Sequence, residues 1–368
     1  APTTATASET EAMPTEPGTP TETPVAEVVR WPEPPAHLPV VELDARADEP
    51  PVPDRVVALG EPDSPFTEPE HPLEDVLLYD FVTEETEVLG PSLWGGALFS
   101  PDGRYLAWTA PRTAGGSAAV IHARDLESDE EHRFDVDRPL FQFLEEHLLL
   151  AGERLIDLDT GATRDIELLP DGSSANFDDG LFLRSTLLDK SGGDYTRRWV
   201  VWTGLDGEAL FEVTGWLVDV LDEETVAVMT APVEGITTIY LVDVTTLTVQ
   251  YVAAARQPFP GDLEAGGHHV AWIENACQIN DAQDATLGRV RVWDRKSGLI
   301  TEFEGASFVA DVDEGRLAIG AFGPQAWFDI ETGEWLAVLP TSGEMAGWSP
   351  DLRYASVGRL LGHGGRCG

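Results

Sequence analysis

The sequence predicts an all-β fold built from repeats. A hairpin phrase recurs seven times, its copies are regularly spaced, and no long stretch shows helical periodicity. Each phrase is an apolar run, an anchoring residue, a turn of four or five residues and a second apolar run. The anchors are Asp80, Asp125, Asp157, Thr203, Asp243, Asp294 and Asp329, at steps of 45, 32, 46, 40, 51 and 35 residues. Strand-only repeats of about 40 residues are typical of a β-propeller.

Most of these hairpins follow two further apolar phrases. The clearest pair is GGALFS and YLAWTA, joined by the turn PDGR, ahead of Asp125. This A–B pair and the following C–D hairpin together make a four-stranded blade. The hairpin at Asp80 has no such pair before it, whereas residues 343–361 form a pair with no hairpin after it.

We therefore predict seven four-stranded blades, closed by C-terminal inner strands that pair with N-terminal outer strands at 76–90. Closure of this kind leaves no long exposed edges. Six or eight blades remain alternatives if a weak phrase is miscounted or if DRVVALG at 54–60 adds strands.

The chain divides into three parts. Residues 1–24 contain eight Thr, five Pro and four Glu with no aromatic or basic residue, a composition that predicts a disordered tether. Residues 25–71 keep a high proline content and gain apolar patches, which predicts an extended arm that packs partly on the folded domain. Residues 72–368 form the propeller. A Thr/Pro/Glu leader resembles the tether of secreted or lipid-anchored bacterial surface proteins, so we expect a lipid anchor upstream of Ala1.

The charge restricts the choice of partner. The chain has 66 acidic and 23 basic residues, a net charge of -43. Such a field repels nucleic acid and anionic membrane surfaces and attracts cations and cationic peptides. No apolar run is long enough to span a membrane. The alternative interpretation is a solvated acidic coat that keeps the protein soluble.

The phrases SPDGRYLAW (100–108) and SPDLRYAS (349–356) carry a family resemblance. They resemble the WD40-like repeats of TolB-type and prolyl-oligopeptidase-type propellers, with an Asp-Gly turn between strands A and B. The resemblance implies a propeller and a bacterial secreted or surface protein. Leu352 stands where the motif has glycine, which is a departure from the expected turn chemistry.

Motifs for catalysis or metal binding are mostly absent. The chain has no GxSxG elbow and no HExxH spacing. Asn280, Asp281 and Asp284 are candidate Ca²⁺ ligands in a long B–C loop, although they lack the EF-hand spacing. The pairs Asp178–Asp179 and Asp135–Asp137 offer fewer oxygen ligands. We predict no cofactor, with Ca²⁺ as the alternative.

Two pairs of residues bear on redox state and on the channel. Cys277 and Cys367 map to B–C loops on one face of the ring, which predicts a disulfide and an oxidising compartment; unrelated thiols are the alternative. His268 and His269 face opposite sides if both are extended, so that one of them lines the channel as a ligand; the alternative is a structural histidine.

The end of the ring that carries the loops between strands B and C, here called the B–C face, is the predicted recognition surface. It includes a basic-aromatic group on an otherwise acidic protein, and its ligand-face candidates are Lys190, Tyr195, Arg197 and Arg198, with His268 as a channel candidate. We expect a non-catalytic, ligand- or protein-binding propeller at the cell surface or in the periplasm, with a protein, peptide or glycan partner. One alternative is a lyase or glycosidase that uses a channel carboxylate or metal. Another is a structural subunit of a surface layer or filament.

Overall fold

The structure is a computed structural model. It describes residues 30–46, 48–58, 75–91, 97–111, 119–136, 141–152, 154–166, 173–188, 196–204, 207–256, 263–274, 288–306, 308–313, 315–320, 325–339 and 345–358. These residues form strands, turns and irregular segments, and none of them lies in a helix. The part of the chain that the structure describes therefore has no apolar helix capable of crossing a membrane.

Seven sheets form the blades of a propeller, and in each blade the strands follow one another from the channel outwards. Blade 1 contains β29 (Met345–Trp348), β30 (Tyr354–Gly358), β3 (Asp75–Asp80) and β4 (Glu85–Pro91). Blade 2 contains β5 (Ala97–Phe99), β6 (Tyr105–Pro111), β7 (Ala119–Asp125) and β8 (Glu131–Val136). Blade 3 contains β9 (Phe141–Phe143), β10 (Leu148–Ala151), β11 (Arg154–Asp157) and β12 (Thr163–Asp165).

The remaining four blades complete the ring. Blade 4 contains β13 (Ser173–Asp178), β14 (Leu181–Leu187), β15 (Arg197–Trp202) and β16 (Ala209–Gly215). Blade 5 contains β17 (Leu217–Asp222), β18 (Thr225–Met229), β19 (Ile236–Asp243) and β20 (Val249–Arg256). Blade 6 contains β21 (Leu263–Gly266), β22 (His269–Glu274), β23 (Gly288–Asp294) and β24 (Ile300–Ala306). Blade 7 contains β25 (Phe308–Asp313), β26 (Arg316–Gly320), β27 (Gln325–Asp329) and β28 (Trp335–Leu339).

The ring closes through blade 1, as the sequence predicts. Strand β30 pairs antiparallel with β3, with Tyr354 opposite Asp80 and Val357 opposite Leu77. The two inner strands of this blade therefore come from the C-terminal part of the propeller and the two outer strands from its beginning. The predicted all-β fold with seven four-stranded blades is confirmed.

The hairpin anchors make local hydrogen bonds. Asp243 Oδ1 accepts hydrogen bonds from the backbone N–H groups of Thr245 and Thr246, at 3.1 and 2.7 Å. The equivalent aspartates cap their own turns in the same way, and these are Asp80, Asp125, Asp157, Asp294 and Asp329. An aspartate in this position satisfies turn N–H groups that the ladder leaves unpaired, which explains the recurrence of the phrase.

The core lies between the blades, where apolar faces of adjacent sheets meet. Phe303 of blade 6 packs against Phe328 of blade 7 with ring centroids 6.0 Å apart, and neither side chain is exposed. The inner strands approach more closely still. A Cβ atom on Gly266 would lie 2.0 Å from the carbonyl oxygen of Val312 in the next blade. Only glycine permits this approach of two backbones next to the channel.

The N-terminal arm, residues 30–58, runs along the outside of the ring. It adds β1 (Val40–Val41) to the outer strand of blade 4 and β2 (Arg55–Ala58) to the outer strand of blade 6, both in parallel. The phrase DRVVALG therefore contributes a fifth strand to blade 6 and does not form a further blade.

Further contacts hold the arm on the ring before β1 and between β1 and β2. Trp31 stacks on Phe182 of blade 4 at 5.5 Å and is only 8% exposed. The hydroxyl of Tyr240 in blade 5 donates to the carbonyl oxygen of Asp44 at 2.6 Å. Further along, Arg291 of blade 6 donates to the carbonyl oxygen of Pro51 at 3.0 Å. Because Arg55 also donates to the carbonyl oxygen of Thr332 in blade 7, the arm is attached to four consecutive blades.

Candidate functional site

A cavity of about 450 Å³ opens at the end of the central channel where strands A and B are joined. One part of its wall is acidic, with Asp178, Asp179, Asp311 and Asp313. Another part is apolar and aromatic, with Leu98, Phe99, Phe143, Trp327, Trp348 and Leu352. We call this cavity the acidic mouth. Its two-sided lining suits a ligand that carries both a positive charge and an apolar body.

Tight turns between strands A and B place the carboxylates. Asp179 and Gly180 join β13 to β14, and both have positive φ angles, of 41° and 76°. An Asp-Gly pair is favoured in such two-residue hairpin turns because Asp tolerates the left-handed region and Gly adopts it freely. The turn therefore puts Asp178 and Asp179 together at the end of the inner strand of blade 4.

The surroundings of the acidic mouth disfavour the ionised form of its carboxyl groups. Burial between the blades, reinforced by the charges of Asp179 and Asp311, raises the pKa of Asp178 to about 7. Burial and the charge of Asp313 raise the pKa of Asp311 to about 6. The carboxylates of Asp178 and Asp311 still contact water. Their raised pKa values thus reflect enclosure by protein walls and mutual repulsion, and not a complete loss of hydration.

A third blade contributes to the same electrostatic group. Asp219, in β17 of blade 5, accepts a hydrogen bond from the backbone N–H of Ala265 at 2.7 Å. Burial, followed by the charges of Asp178 and Asp311, raises the pKa of Asp219. Among the described residues of blade 6, which lies between Asp219 and Asp311 in the ring, those that line the cavity are Ala265, Gly266 and Gly267. Its small residues leave room for the carboxylates of blades 5 and 7 to influence one another.

Arg316 is the basic residue that lines the cavity in the described part of the chain. Its guanidinium pairs with Asp313, donates to the carbonyl oxygen of Pro350 at 2.8 Å and lies 5.8 Å from the centre of the Trp327 ring. These contacts hold Arg316 at one side of the cavity. Asp178, Asp219 and Asp311 make no ion pair with a described basic residue, so the acidic mouth keeps an excess of negative charge.

The aromatic wall also has hydrogen-bonding capacity. Within the described ranges, the indole N–H groups of Trp327 and Trp348 are buried and have no acceptor. Buried donors are normally paired, in proteins or with ordered water. The two indoles lie perpendicular to each other, with ring centroids 6.4 Å apart.

A second polar group lies in blade 6, at the same end of the ring. His268 is in the turn between β21 and β22, and His269 is the first residue of β22. Their rings lie side by side with centroids 3.9 Å apart, because His268 is in a turn and not in the extended conformation that would direct the two rings to opposite sides. His268 Nε2 lies 3.8 Å from Asp294 Oδ1. Burial and the neighbouring His268 lower the pKa of His269 to about 4, so its imidazole is neutral at pH 7.

The predicted recognition residues lie at the opposite, B–C end of the blades where they are described. Arg197 and Arg198 begin β15, and each has a partner: Arg197 donates to Ser185 Oγ at 2.7 Å, and Arg198 lies 3.4 Å from Glu212. Several predicted site residues lie outside the described residues, namely Lys190, Tyr195, Cys277, Asn280, Asp281, Asp284 and Cys367. The predicted disulfide and calcium ligands therefore stay predictions.

Sequence reasoning missed most of the acidic mouth. It weighed Asp178 and Asp179 only as a pair and did not single out Asp219, Asp311 or Asp313. A usable signal exists in the repeats, because FDDG, VDVLDEE and VADVDEG all end strand A with carboxylates. Aligning the A strands would have placed Asp178, Asp222 and Asp313 at the same strand end, with Asp219 and Asp311 a few residues before that end.

Comparisons with known proteins support the architecture. No family model and no curated protein matches the chain. The β-propeller domain of the Trilobed protease from Pyrococcus furiosus, described as having an open velcro topology, superposes with a TM-score of 0.50 at 14% identity. The match covers 72% of this chain and 89% of that domain. At this identity the likeness shows the propeller fold alone. In the present chain, by contrast, β30 and β3 close the ring.

Two other solved structures align less well. The uncharacterized protein lmo1340 from Listeria monocytogenes has a TM-score of 0.49 at 10% identity, covering 74% of this chain and 94% of that one. TolB from Acinetobacter baumannii has a TM-score of 0.36 at 13% identity, covering 61% and 62%.

Proposed function

We propose that this protein is a non-catalytic binding propeller whose acidic mouth captures a cationic side chain of a peptide or protein partner. The proposal includes a position outside the cytoplasm, at the cell surface or in the periplasm, with residues 1–24 as a tether. The observation that carries it is the acidic wall of the cavity, where Asp178 and Asp311 line the space and have raised carboxyl pKa values. An ammonium or guanidinium group placed among them would relieve their repulsion and restore their charge.

The aromatic wall supports a ligand with an apolar body. Phe99, Phe143 and Trp348 line the cavity together with the carboxylates. The stem of Lys or Arg packs on apolar surface while its charged end reaches polar groups. A cavity of about 450 Å³ accommodates one such side chain and part of its neighbours.

The chain charge of -43 adds a long-range contribution. It attracts cationic partners from solution and raises their rate of association, an effect that falls with ionic strength. Because this field is not local, binding to the acidic mouth has to be separated from general attraction of polycations.

A matched pair of peptides makes that separation. The probes are acetyl-Gly-Leu-Lys-Leu-Gly-amide and the same peptide with norleucine in place of lysine, titrated calorimetrically at 0.15 M salt. We expect one site for the lysine peptide and at least tenfold weaker binding of the norleucine peptide, roughly 1.4 kcal/mol. Asp178→Asn/Asp311→Asn should weaken the lysine peptide at least tenfold. Glu331→Gln/Glu334→Gln, which removes two exposed acidic groups of blade 7, should leave binding within twofold. Equal affinity for both peptides, or equal loss in both double variants, would contradict the proposal.

The same carboxylates suggest a second candidate function. Asp178 has a pKa of about 7 and stands near the charges of other carboxylates, so a protonated and an ionised group coexist at neutral pH. Glycosidases and lyases use such pairs as general acid and base. Turnover of chromogenic glycosides and uronides by the purified chain, abolished in Asp178→Asn, would favour an enzyme. Absence of turnover with retained peptide binding would favour the binding role.

A further inference from the structure

We propose that His268, His269 and Asp294 form a binding site for a transition-metal ion, with Zn²⁺ as the best match. One ligand atom from each of the three side chains lies within 4.8 Å of the other two. No other group of three histidine, cysteine or carboxylate side chains in the described ranges meets this criterion. The carboxylates of the acidic mouth are thus spread too widely to form a comparable site.

The repeats show what is unusual about these residues. In blade 2, Tyr105 is opposite the hairpin aspartate Asp125, and the preceding Arg104 pairs with that aspartate at 2.8 Å. Blade 1 repeats this arrangement, since Tyr354 is opposite Asp80 and Arg353 pairs with it at 3.2 Å.

Blade 6 places histidines in both of these positions. His269 is opposite Asp294 in the β22–β23 register, and His268 precedes it in the turn. His268 therefore takes the position of the arginine in blades 1 and 2, and His269 takes the position of the tyrosine. Two imidazoles thus lie next to the carboxylate of Asp294. An Arg–Asp pair needs no further ligand, whereas two imidazoles and a carboxylate bring three metal-ligand atoms within 4.8 Å of one another.

The distances leave a gap that a metal ion would fill. His268 Nε2 and Asp294 Oδ1 are 3.8 Å apart, too far for a hydrogen bond. Two ligands of a tetrahedral zinc ion are separated by about 3.4 Å, given zinc–ligand bonds of about 2.1 Å. A small rotation of the side chains would bring the three ligand atoms to that spacing.

The buried imidazole of His269 also has a nitrogen without a partner in the part of the chain that the structure describes. His269 is 3% exposed, and its Nδ1 has no hydrogen-bond partner among the residues that the structure describes. Buried polar atoms are seldom left unpaired in native structures. A metal ion bound to a neutral imidazole would satisfy one.

Asp294 is already positioned by its turn. Its Oδ1 accepts a hydrogen bond from the backbone N–H of Lys296 at 2.8 Å, and its Oδ2 accepts one from Ser297 Oγ at 2.6 Å. Outer hydrogen bonds of this kind orient metal-ligating carboxylates. Two nitrogen ligands and one oxygen ligand match Zn²⁺, Co²⁺, Ni²⁺ and Cu²⁺ better than Ca²⁺, which prefers oxygen alone. Three protein ligands leave a fourth position for water or a ligand group.

The experiment uses the full chain, stripped with chelator and titrated with Co²⁺ and Zn²⁺ by visible absorption and calorimetry. We expect one site, Co²⁺ bands typical of tetrahedral coordination, displacement by Zn²⁺ and no competition from a hundredfold excess of Ca²⁺. His268→Arg/His269→Tyr restores the residues found in blades 1 and 2, so it should fold and should lose at least a hundredfold in Zn²⁺ affinity. Asp294→Asn should lose at least tenfold.

Two matched controls complete the design. His132→Ala removes a half-buried histidine elsewhere, and Asp243→Asn alters the equivalent hairpin aspartate of blade 5, which has no histidine opposite it. Both should bind Zn²⁺ as the unmodified chain does. Lack of Co²⁺ and Zn²⁺ binding up to millimolar concentration, or binding that survives His268→Arg/His269→Tyr, would overturn the proposal. Asp178→Asn/Asp311→Asn, which alters the acidic mouth, should still bind Zn²⁺. This result would show that the metal site and the acidic mouth are distinct.

Discussion

Arg353 donates from Nη2 to Asp80 Oδ2 across 3.2 Å, and the two residues are 273 positions apart in the chain. Asp80 also accepts hydrogen bonds from the backbone N–H groups of Val82 and Thr83. The carboxylate therefore joins the first hairpin turn of the propeller to the strand pair that closes the ring.

Replacing Asp80 should weaken this closure. Asp80→Ala removes the turn hydrogen bonds and leaves Arg353 without its partner, so we expect the free energy of unfolding to fall by about 1–2 kcal/mol. Asp80→Asn keeps an acceptor for the turn and should cost less. Urea denaturation of both variants measures the difference, and equal destabilisation would show that the turn hydrogen bonds contribute little.

The raised carboxyl pKa values of the acidic mouth should make the protein less stable as pH rises from about 4 to 7, and this effect should exceed the opposite contribution of His269, whose pKa is lowered to about 4. Although the hydrogen bonds and Arg353 lower the pKa of Asp80, against the effect of its burial, the acidic mouth acts in the opposite sense. Asp178 and Asp311 bind protons in the folded state at pH values where an unfolded aspartate, with a pKa of about 3.9, has lost them. In this pH range the folded state therefore binds more protons than the unfolded state. As pH rises these protons are released, and the free energy of unfolding falls.

Asp178→Asn tests this pH dependence. The variant should be more stable than the unmodified chain at pH 8, by about 1 kcal/mol after allowance for solvent screening. At pH 4, where both carboxyl groups are protonated in the folded protein, the difference should disappear. Thermal unfolding across this range provides the measurement, and a pH-independent difference would contradict the assignment. Glu334→Gln serves as a matched exposed control.

A buried ion-pair group in blade 6 should be essential for folding. Arg291 contacts Glu302 at 2.8 Å and Glu274 at 3.1 Å, and the three side chains are between 3% and 6% exposed. Arg291→Met would leave Glu274 buried without a cation and Glu302 with only the half-exposed Arg289 at 3.8 Å, and we expect a loss of about 3–5 kcal/mol. Arg289→Met, on the same strand but half-exposed, should cost less than about 1 kcal/mol. Comparable effects of the two substitutions in denaturant titrations would argue against a special role for Arg291.

The N-terminal arm should stabilise the ring through Trp31. Trp31→Ala removes a buried indole that stacks on Phe182, and we expect a loss of about 3 kcal/mol. Trp31→Phe should retain part of the stacking and of the stability. Val52→Ala, at an arm residue that is 86% exposed, should change stability by less than about 0.5 kcal/mol. Unchanged unfolding of Trp31→Ala would indicate that the arm contributes no stability through this residue.

The ring was predictable because its signals are local. A hairpin aspartate bonds to N–H groups two or three residues ahead, so each copy marks its own turn wherever it occurs. The composition of blade 1 could be predicted in the same way. The sequence has one A–B strand pair with no hairpin after it and one hairpin with no strand pair before it, and the simplest arrangement joins the two in one blade. Even Leu352 adopts the positive φ of its glycine counterpart, at 58° compared with 75° for Gly103.

The candidate sites depend on contacts between distant parts of the chain. Asp178, Asp219 and Asp311 come together only through the order of the blades, and each is one of 66 acidic residues. The histidine group was likewise hidden, because its aspartate belongs to the recurrent turn. The parallel addition of β2 to β24 also has no counterpart in the hairpin pattern.

The shared first blade has a consequence for the timing of synthesis. Strand β3 leaves the ribosome about 273 residues before its partner β30. At the usual rates of translation this delay is roughly 15 to 55 seconds. During that interval the nascent chain holds an unpaired strand edge, and its arm has no partner strand until β16 and then β24 are made. Factors that shield such edges during translation would therefore influence the yield of folded protein more than factors that act after release.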